Sequence, residues 1–395
     1  MATNKKMEKT VTVPGKGEIT IRPARIQDMR RIQVLYAEIY GASYSVTLIT
    51  DKEKMRYAIE HDDYYWLVAE FQNRIIGSLV YAIDLKDRIS KAFGAVVSQE
   101  FRKHDLAYTM MKLVLDDITH TRDLVDLVYA TTRTASSAPQ RLTESLGFIK
   151  LGIFPNTHKV SENETHCLTA YMTEKALKKR RKNPRFIPEI RPFYEIVLKQ
   201  LKLDKPSIED YKSPYSDHKQ KIPTLAFEMI TAPGFVKNRY KSVKREGFFA
   251  ATFMPFHEPN LIFVTLDGKT EIYLHYNTKD KYSVVMGGFT DQHMTVVLDS
   301  LSQKLNELNM SYVEVIVDAY SPEYQRMAVD ARFIPTGYFP CSKRVGNRRY
   351  DCIVFSRTFE ILDFRNVKII SLYRNILKEY LKLWRENYVE VVFKP

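Results

Sequence analysis

Slid against itself by 185 positions, this 395-residue sequence matches without a gap: Phe148 meets Phe333, Gly152 meets Gly337 and Cys167 meets Cys352. Over residues 136–177 the two stretches share 12 identities in 42, where ordinary composition gives roughly three. The chain is also too long for one typical core. The repeat therefore predicts two copies of one fold.

The first copy reads as strands alternating with helices. Glu18-Ile19-Thr20-Ile21-Arg22 alternates as a strand does, and Ile26, Met29, Ile32, Leu35 and Ile39 recur at near-helical spacing over residues 26–40. Asp51 is placed to cap a helix over 51–60, and apolar strands at 65–71 and 75–83 turn around Asn73-Arg74. A strand at 92–97 runs through a charged turn into a helix over 106–118 with the stripe Leu106, Met110, Leu113 and Val114. A strand at 124–131, a helix at 139–146 and a strand pair at 148–154 and 166–171 complete a mixed α/β (α+β) pattern, with one central mixed sheet flanked by helices. Lys178-Lys179-Arg180-Arg181-Lys182, followed by Pro184 and Pro188, breaks the pattern. We expect an N-terminal extension at 1–17, a first domain at 18–173, a basic, Pro-containing linker with a helix at 174–243, and a second domain at 244–395. The last would end in a helix at 369–387 and a strand at 389–393.

Lys and Arg number 60 against 47 Asp and Glu, a formal charge of +13 that suits anionic partners: a polyphosphate cofactor, an acidic protein, a lipid surface or nucleic acid. The basic run at 178–182 has no aromatic interleaving, so we read it as a solvated hinge and do not expect nucleic acid. The start is polar and no apolar run is long enough to span a bilayer, from which we expect a cytoplasmic protein. Cys167, Cys341 and Cys352 lack both metal-ligand spacing and the density of a disulfide framework, so buried thiols and no metal site are expected.

The chemically informative stretch is Val97-Ser98-Gln99-Glu100-Phe101-Arg102-Lys103-His104-Asp105-Leu106-Ala107. A basic turn between a strand and a helix start can cradle an anion, because the first helical N–H groups are unpaired and the helix dipole is positive there. Small residues let a diphosphate approach the backbone. This stretch resembles the acyl-CoA signature of GNAT acyltransferases, Gln/Arg-x-x-Gly-x-Gly/Ala at a helix start. Arg102 and Ala107 match it, and Asp105 replaces the central glycine. Pro139-Gln140-Arg141-Leu142-Thr143-Glu144-Ser145-Leu146-Gly147-Phe148 resembles the helix of that family which ends in Gly-Phe before a strand hairpin. The two motifs stand in the family's order and cover the first domain, so the resemblance implies two GNAT-like folds in tandem.

What the resemblance implies chemically is transfer of an acyl group from acetyl-CoA or another acyl-CoA to a primary amine, on a small molecule or a protein lysine, by direct attack on the thioester. Arg102, Lys103, His104, Asp105, Leu106 and Ala107 would hold the diphosphate. Main-chain groups of Ala95, Val96 and Val97 would pair with pantetheine, the Val97 N–H facing the thioester oxygen. Ser136 stands where the family commonly has an asparagine touching pantetheine, its plainer reading being a helix cap, and Thr143 stands where the family often has a tyrosine that protonates the thiolate. Asp84, Glu38 and His104 are candidate bases for the ammonium. Aspartate is also a preferred N-cap, which predicts a side-chain cap by Asp105.

In the second copy, Val285-Met286-Gly287-Gly288-Phe289-Thr290-Asp291-Gln292-His293 lacks the basic turn, Gly287-Gly288 could admit a phosphate near a helix start but reads more plainly as a tight turn before Asp291, and Ala328 matches Thr143. We expect this copy to have lost cofactor binding, with residues 244–358 helping to wall the substrate pocket. Two other readings stay open. The donor could be an acidic acyl carrier protein or an aminoacyl-tRNA, or the chain could be a non-catalytic GNAT-like protein that binds an anionic partner.

Overall fold

Apolar residues on both sides of the early strands force a sheet that is covered on two faces. The computed structural model, which describes residues 7–41, 47–159, 163–216, 220–243, 249–250 and 257–390, divides into two units. The first is drawn from Met1–Thr131, Arg141–Phe148 and Ala170–Ala176. Its sheet runs in the order β1 (Lys9–Val13), β2 (Gly17–Pro23), β3 (Tyr64–Phe71), β4 (Arg74–Asp84), β5 (Ile89–Val97) and β6 (Leu127–Arg133). Neighbours are antiparallel except β5 and β6, which are parallel. On one face Tyr65, Leu67, Tyr81, Ala92 and Val128 pack with Met110, Met111 and Val114 of α4 (Leu106–Asp116). On the other, Trp66, Val68, Val80 and Val96 pack with Ile32, Leu35 and Tyr36 of α1 (Met29–Tyr40) and with Met55 and Ile59 of α3 (Lys52–Glu60), which follows the short α2 (Thr47–Thr50).

Local signals explain the boundaries. Asp51 caps α3, its carboxylate accepting from Glu53 N at 2.9 Å and Lys54 N at 3.2 Å. The β3–β4 hairpin turns on Gln72 and Asn73, both left-handed at φ 45° and 63°. Part of the expected N-terminal extension is instead β1, paired from Lys9 against Ile21 to Val13 against Gly17. Helix α4 is shorter than expected, a wide turn at Asp117–Thr121 replacing its end. Arg22 and Asp28, 4% and 0% exposed, form an ion pair at 2.7 Å. Glu70 bridges Arg22 and Arg31 at 2.7 Å each, and Arg31 also reaches Asp28, so one charge network joins β2, β3 and the start of α1.

The second unit is drawn from Thr132–Gln140, Ile149–Thr169 and Leu177–Pro395, so the chain changes unit inside β6, inside α5 (Ala138–Ser145) and inside β8 (Asn163–Met172). The chain enters the second unit for the last time at Ala176/Leu177, three residues beyond the boundary expected at 173/174, after earlier crossings that start inside β6. The physical reason is that β7 (Ile149–Lys159) joins the sheet of the second half, pairing with β17 (Ile334–Val345) at Gly152 and Gly337. These two glycines are matching positions of the repeat, and neither has room for a side chain. A Cβ on Gly152 would lie 2.7 Å from Thr336 O, and one on Gly337 2.7 Å from the Gly152 Cα.

Between the halves lie α6 (Glu174–Lys178), β9 (Arg185–Phe186), α7 (Arg191–Leu198), β10 (Ser207–Ile208), β11 (Glu228–Ile230), α8 (Pro233–Ser242) and β12 (Phe249–Ala250). Then come β13 (Leu261–Val264), β14 (Glu271–Asn277), β15 (Tyr282–Phe289), α9 (Met294–Glu307), β16 (Tyr312–Asp318), α10 (Pro322–Asp330), β17, β18 (Arg348–Thr358) and α11 (Ser371–Tyr388). The sheet order is β8-β7-β17-β18-β16-β15-β14-β13-β11, with β12 added to β15. Strands β16, β17 and β18 begin 185 residues after β6, β7 and β8. Gly287 and Gly288 lie within β15, not in a turn, because β14 runs so close that a Cβ on Gly288 would meet Glu271 O at 2.2 Å. The terminal strand expected at 389–393 falls largely outside the described residues.

The basic run is solvated except at Arg180, which turns inward. Arg180 is 8% exposed, its Nε lying 2.7 and 3.0 Å from the Asp351 carboxylate oxygens and its Nη1 2.9 Å from Asp204. The Arg181 guanidinium stacks over Tyr320 at 4.3 Å. Phe186, Ile190, Phe193, Tyr194 and Val197 are buried behind it. One charge of the run, Arg180, is thus spent inside the second unit, while Lys178, Arg181 and Lys182 remain exposed. Among the described residues no helix is long and apolar enough to cross a membrane.

Asp351 is 0% exposed and also accepts from Cys341 N at 2.9 Å and from the Tyr338 hydroxyl. Asp351→Asn leaves the buried Arg180 charge with Asp204 as its carboxylate partner and should cost about 1–3 kcal/mol, read as an earlier urea-unfolding transition of the second unit. In the first unit, burial opposes ionisation of Asp28, but hydrogen bonds from Arg22 and the Arg25 N–H, with the arginine charges, outweigh it and hold the carboxyl below its ordinary value. The unfolded chain binds that proton more readily, so this contribution is complete above the ordinary carboxyl pKa and is lost as pH falls below about 4. Thermal melts should show the first unit weakening on that acid limb, and Asp28→Asn should lower its Tm at pH 7 and flatten the limb.

Candidate active site

Strands β5 and β6 part after three parallel pairs, Ile89 with Leu127, Ser90 with Val128 and Lys91 with Tyr129. Among the described residues no strand continues that edge of β5 from Ala92 to Val97, which leaves a wedge of main-chain donors and acceptors. Within the wedge β5 bulges: Ser78 faces Val96 but Val80 faces Phe93, two steps on β4 against three on β5. Gly94 supplies the left-handed φ of 63°. A buried bracket holds the bulge, the Tyr36 hydroxyl donating to Gly94 O and lying 3.3 Å from Ser78 Oγ, which accepts from Trp66 Nε1 at 2.9 Å. Burial pushes the Tyr36 phenol far up, so it remains a donor. Ala95 is thereby turned to solvent while Val96 stays buried. Sequence reasoning missed this bracket, for which Gly94 inside an apolar strand was the local signal.

Beyond β5 the pairing continues one residue, Ser98 N to Ile76 O at 2.8 Å, and the chain then makes a 3-10 turn at Gln99–Phe101. Phe101 is buried on Phe71, ring centroids 5.1 Å apart, and Leu106 is buried at the start of α4. Between these anchors Arg102, Lys103 and Asp105 are exposed and His104 is half-buried. Arg102 Nε folds back to Val97 O at 3.2 Å. Asp105 occupies the N-cap position, but the expected side-chain cap is not formed. It takes instead the left-handed conformation, φ 52° and ψ 17°, that the signature's glycine adopts without strain and that aspartate tolerates better than most residues. The first-turn N–H groups of Leu106, Ala107 and Tyr108 therefore have no acceptor within the helix and lie at its positive end. The open edge of β5, the basic turn and this helix start follow one another along the chain, an arrangement that suits an elongated anion with a hydrogen-bonding arm.

The other expected site residues scatter. Asp84 faces Ile89 at the opposite end of β5, eight residues or about 26 Å from Val97, and its Oδ1 accepts from Asp87 N at 2.8 Å to close the hairpin. As a base for chemistry beside Val97 it is misplaced. Glu38 is on the Val97 side, exposed and 3.9 Å from Arg74, which also pairs with Glu100 at 2.9 Å. Thr143 is buried in α5, its carbonyl accepting from Phe148 N at 3.0 Å to finish the helix. Ser136 belongs to the second unit, where it is exposed and its carbonyl lies 3.5 Å from Gln140 Nε2. The three cysteines are buried with no disulfide, and burial pushes the Cys352 thiol up to about 12. No group of His, Cys, Asp or Glu among the described residues has metal-binding geometry.

Residues 29–148 match the model of the Acetyltransferase (GNAT) family. No curated protein matches in sequence. Among solved structures, a GNAT-family acetyltransferase from Streptococcus pneumoniae is 15% identical with a TM-score of 0.35, over 39% of this chain and 99% of its own. A ribosomal-protein-S5-alanine acetyltransferase from Vibrio fischeri is 16% identical at 0.35, over 40% and 93%. A spermidine N-acetyltransferase mutant from Vibrio cholerae is 17% identical at 0.35, over 40% and 95%. Residues 29–148 of this chain are an acetyltransferase domain of the GNAT family, and the chain is an acyltransferase.

Proposed function

We propose that the first domain transfers an acyl group, acetyl in the simplest case, from acyl-CoA to a primary amine on a small molecule or a lysine side chain. The observation that carries this reading is the turn between β5 and α4, where Arg102 and Lys103 are exposed beside helix N–H groups that Asp105 leaves uncapped. Those groups hold the diphosphate, charge-assisted by the two basic side chains. Ala95, Val96 and Val97 offer their main chain to the pantetheine arm, and the Val97 N–H faces the oxygen on which negative charge develops. The amine nitrogen bonds to the carbonyl carbon as the carbon–sulfur bond breaks. Glu38 and His104, which remain at this end of β5, are the groups to take the ammonium proton. A cytoplasmic setting, in which acyl-CoA is at hand, goes with this reading.

The second half is a degenerate copy of the same fold. Its support is the recurrence of β6, β7 and β8 as β16, β17 and β18 at one fixed offset, together with the sequence identities that share it.

Asp105 places an exposed negative charge where a diphosphate would sit, and in a strained backbone conformation. Asp105→Gly should therefore tighten acetyl-CoA binding severalfold, whereas Arg102→Glu should weaken it by about tenfold or more, both read by calorimetry. Thiol release across a panel of amines then measures turnover. Affinity and turnover unchanged by Arg102→Glu and by Ala107→Glu would show that the donor binds elsewhere.

A further inference from the structure

We infer that the second copy has closed its own cofactor cleft with a strand of this same chain, so that each chain binds one acyl-CoA. This rests on the reading of residues 97–107 as the acyl-CoA site of the first copy.

The second copy retains the geometry that opens such a cleft. Strands β15 and β16 are parallel for three pairs, Tyr282 with Tyr312, Ser283 with Val313 and Val284 with Glu314, and the pairing stops there, as it does between β5 and β6. Strand β15 also bulges at the matching depth, Leu274 facing Val285 but Tyr273 facing Gly287, so that Met286 is the extra residue.

The difference is what lies against the opened edge. A strand has two edges. One edge of β15 is held by β14, which pairs Ile272 with Gly288 and Tyr273 with Gly287. Strand β12 pairs with the same two residues, Phe249 with Gly288 and Ala250 with Gly287. It must therefore occupy the other edge, the one that faces β16. That edge corresponds to the open edge at Ala95, Val96 and Val97 in the first copy. A peptide strand and a pantetheine arm make the same kind of main-chain hydrogen bonds, and the peptide is already in place at the concentration of a tethered group.

The helix start is closed as well. His293 caps α9, its Nδ1 accepting from Thr295 N at 3.3 Å, and burial holds the imidazole below its ordinary pKa, in the neutral form that can accept. Tyr215 packs on its ring at 5.2 Å, and Thr295 Oγ1 donates to Met327 O at 3.1 Å, tying α9 to α10. A cavity of about 270 Å³ beside this turn is lined by Asp267 and Asp291 and by no lysine or arginine, the wrong charge for a diphosphate.

Two measurements on the intact chain test the closure. Calorimetry with acetyl-CoA should give one equivalent per chain for the wild type, and for Arg102→Glu the same single site with its affinity lowered about tenfold or more. Two equivalents in the wild type, or one equivalent at unchanged affinity in Arg102→Glu, would overturn the inference. Amide exchange followed by NMR reads the strand directly, because the N–H groups of Gly287 and Gly288 point to opposite edges and both are slow only where both edges are paired. Both should be slow without ligand and unaltered by acetyl-CoA, while the amide of Val97, which by the same alternation points to the open edge of β5, slows on its addition. Rapid exchange at either glycine, or slowing there on adding acetyl-CoA, refutes the closure. Should the wild type bind no acetyl-CoA, the reading of the first site falls and with it the count of one, and the exchange at Gly287 and Gly288 still decides whether the strand closes the second.

Discussion

The open stretch of β5 depends on the early divergence of two parallel strands. A strand pair normally satisfies the N–H and C=O groups along its shared edge, and leaving them unpaired in the middle of a sheet is costly unless something else bonds to them. Strands β5 and β6 stop pairing after Lys91 and Tyr129, and the bulge at Gly94, bracketed by Tyr36, Ser78 and Trp66, keeps β5 bent away. The exposed edge leaves main-chain groups of β5 without a strand partner. The basic turn only adds charge at its end.

The turn is held by apolar burial rather than by its polar residues. Phe101 on Phe71 and Leu106 at the head of α4 are both buried, and the intervening residues have no alternative to exposure. This lets Arg102 and Lys103 present charge without the desolvation cost that a buried anion site would carry. It also explains how Asp105 can replace a glycine: the backbone conformation is imposed from both sides, and aspartate is among the few residues that accept it.

The two halves show one scaffold carrying different occupants. In both, a bulged strand parts from a parallel neighbour after three pairs. In the first the edge is open and the following turn basic. In the second, β12 completes the sheet, His293 caps the helix and the turn carries Asp291. Completing the edge removes the energetic reason for a ligand, and the Arg180–Asp351 pair ties residue 180 to β18 within the same unit.

The sequence by itself determined the fixed-offset repeat, most element types of the first copy, the cap at Asp51 and the basic turn before α4, because these rest on local periodicity, turn chemistry and short-range order. It misread Gly287-Gly288 as a turn, since a glycine required by a neighbouring strand looks the same as one required by a bend. It read residues 178–182 as a hinge, since charge composition does not reveal that Asp351, over 160 residues away, buries one of those arginines. It grouped Asp84 with His104, since residue type does not tell which end of a strand a side chain occupies. Only the tertiary structure decided that Asp105 leaves its helix uncapped, that Tyr36 supports the bulge and that β12 lies against β15. Each of these is a pairing between residues distant in the chain, fixed by which main-chain edges are left to satisfy once the sheets have formed.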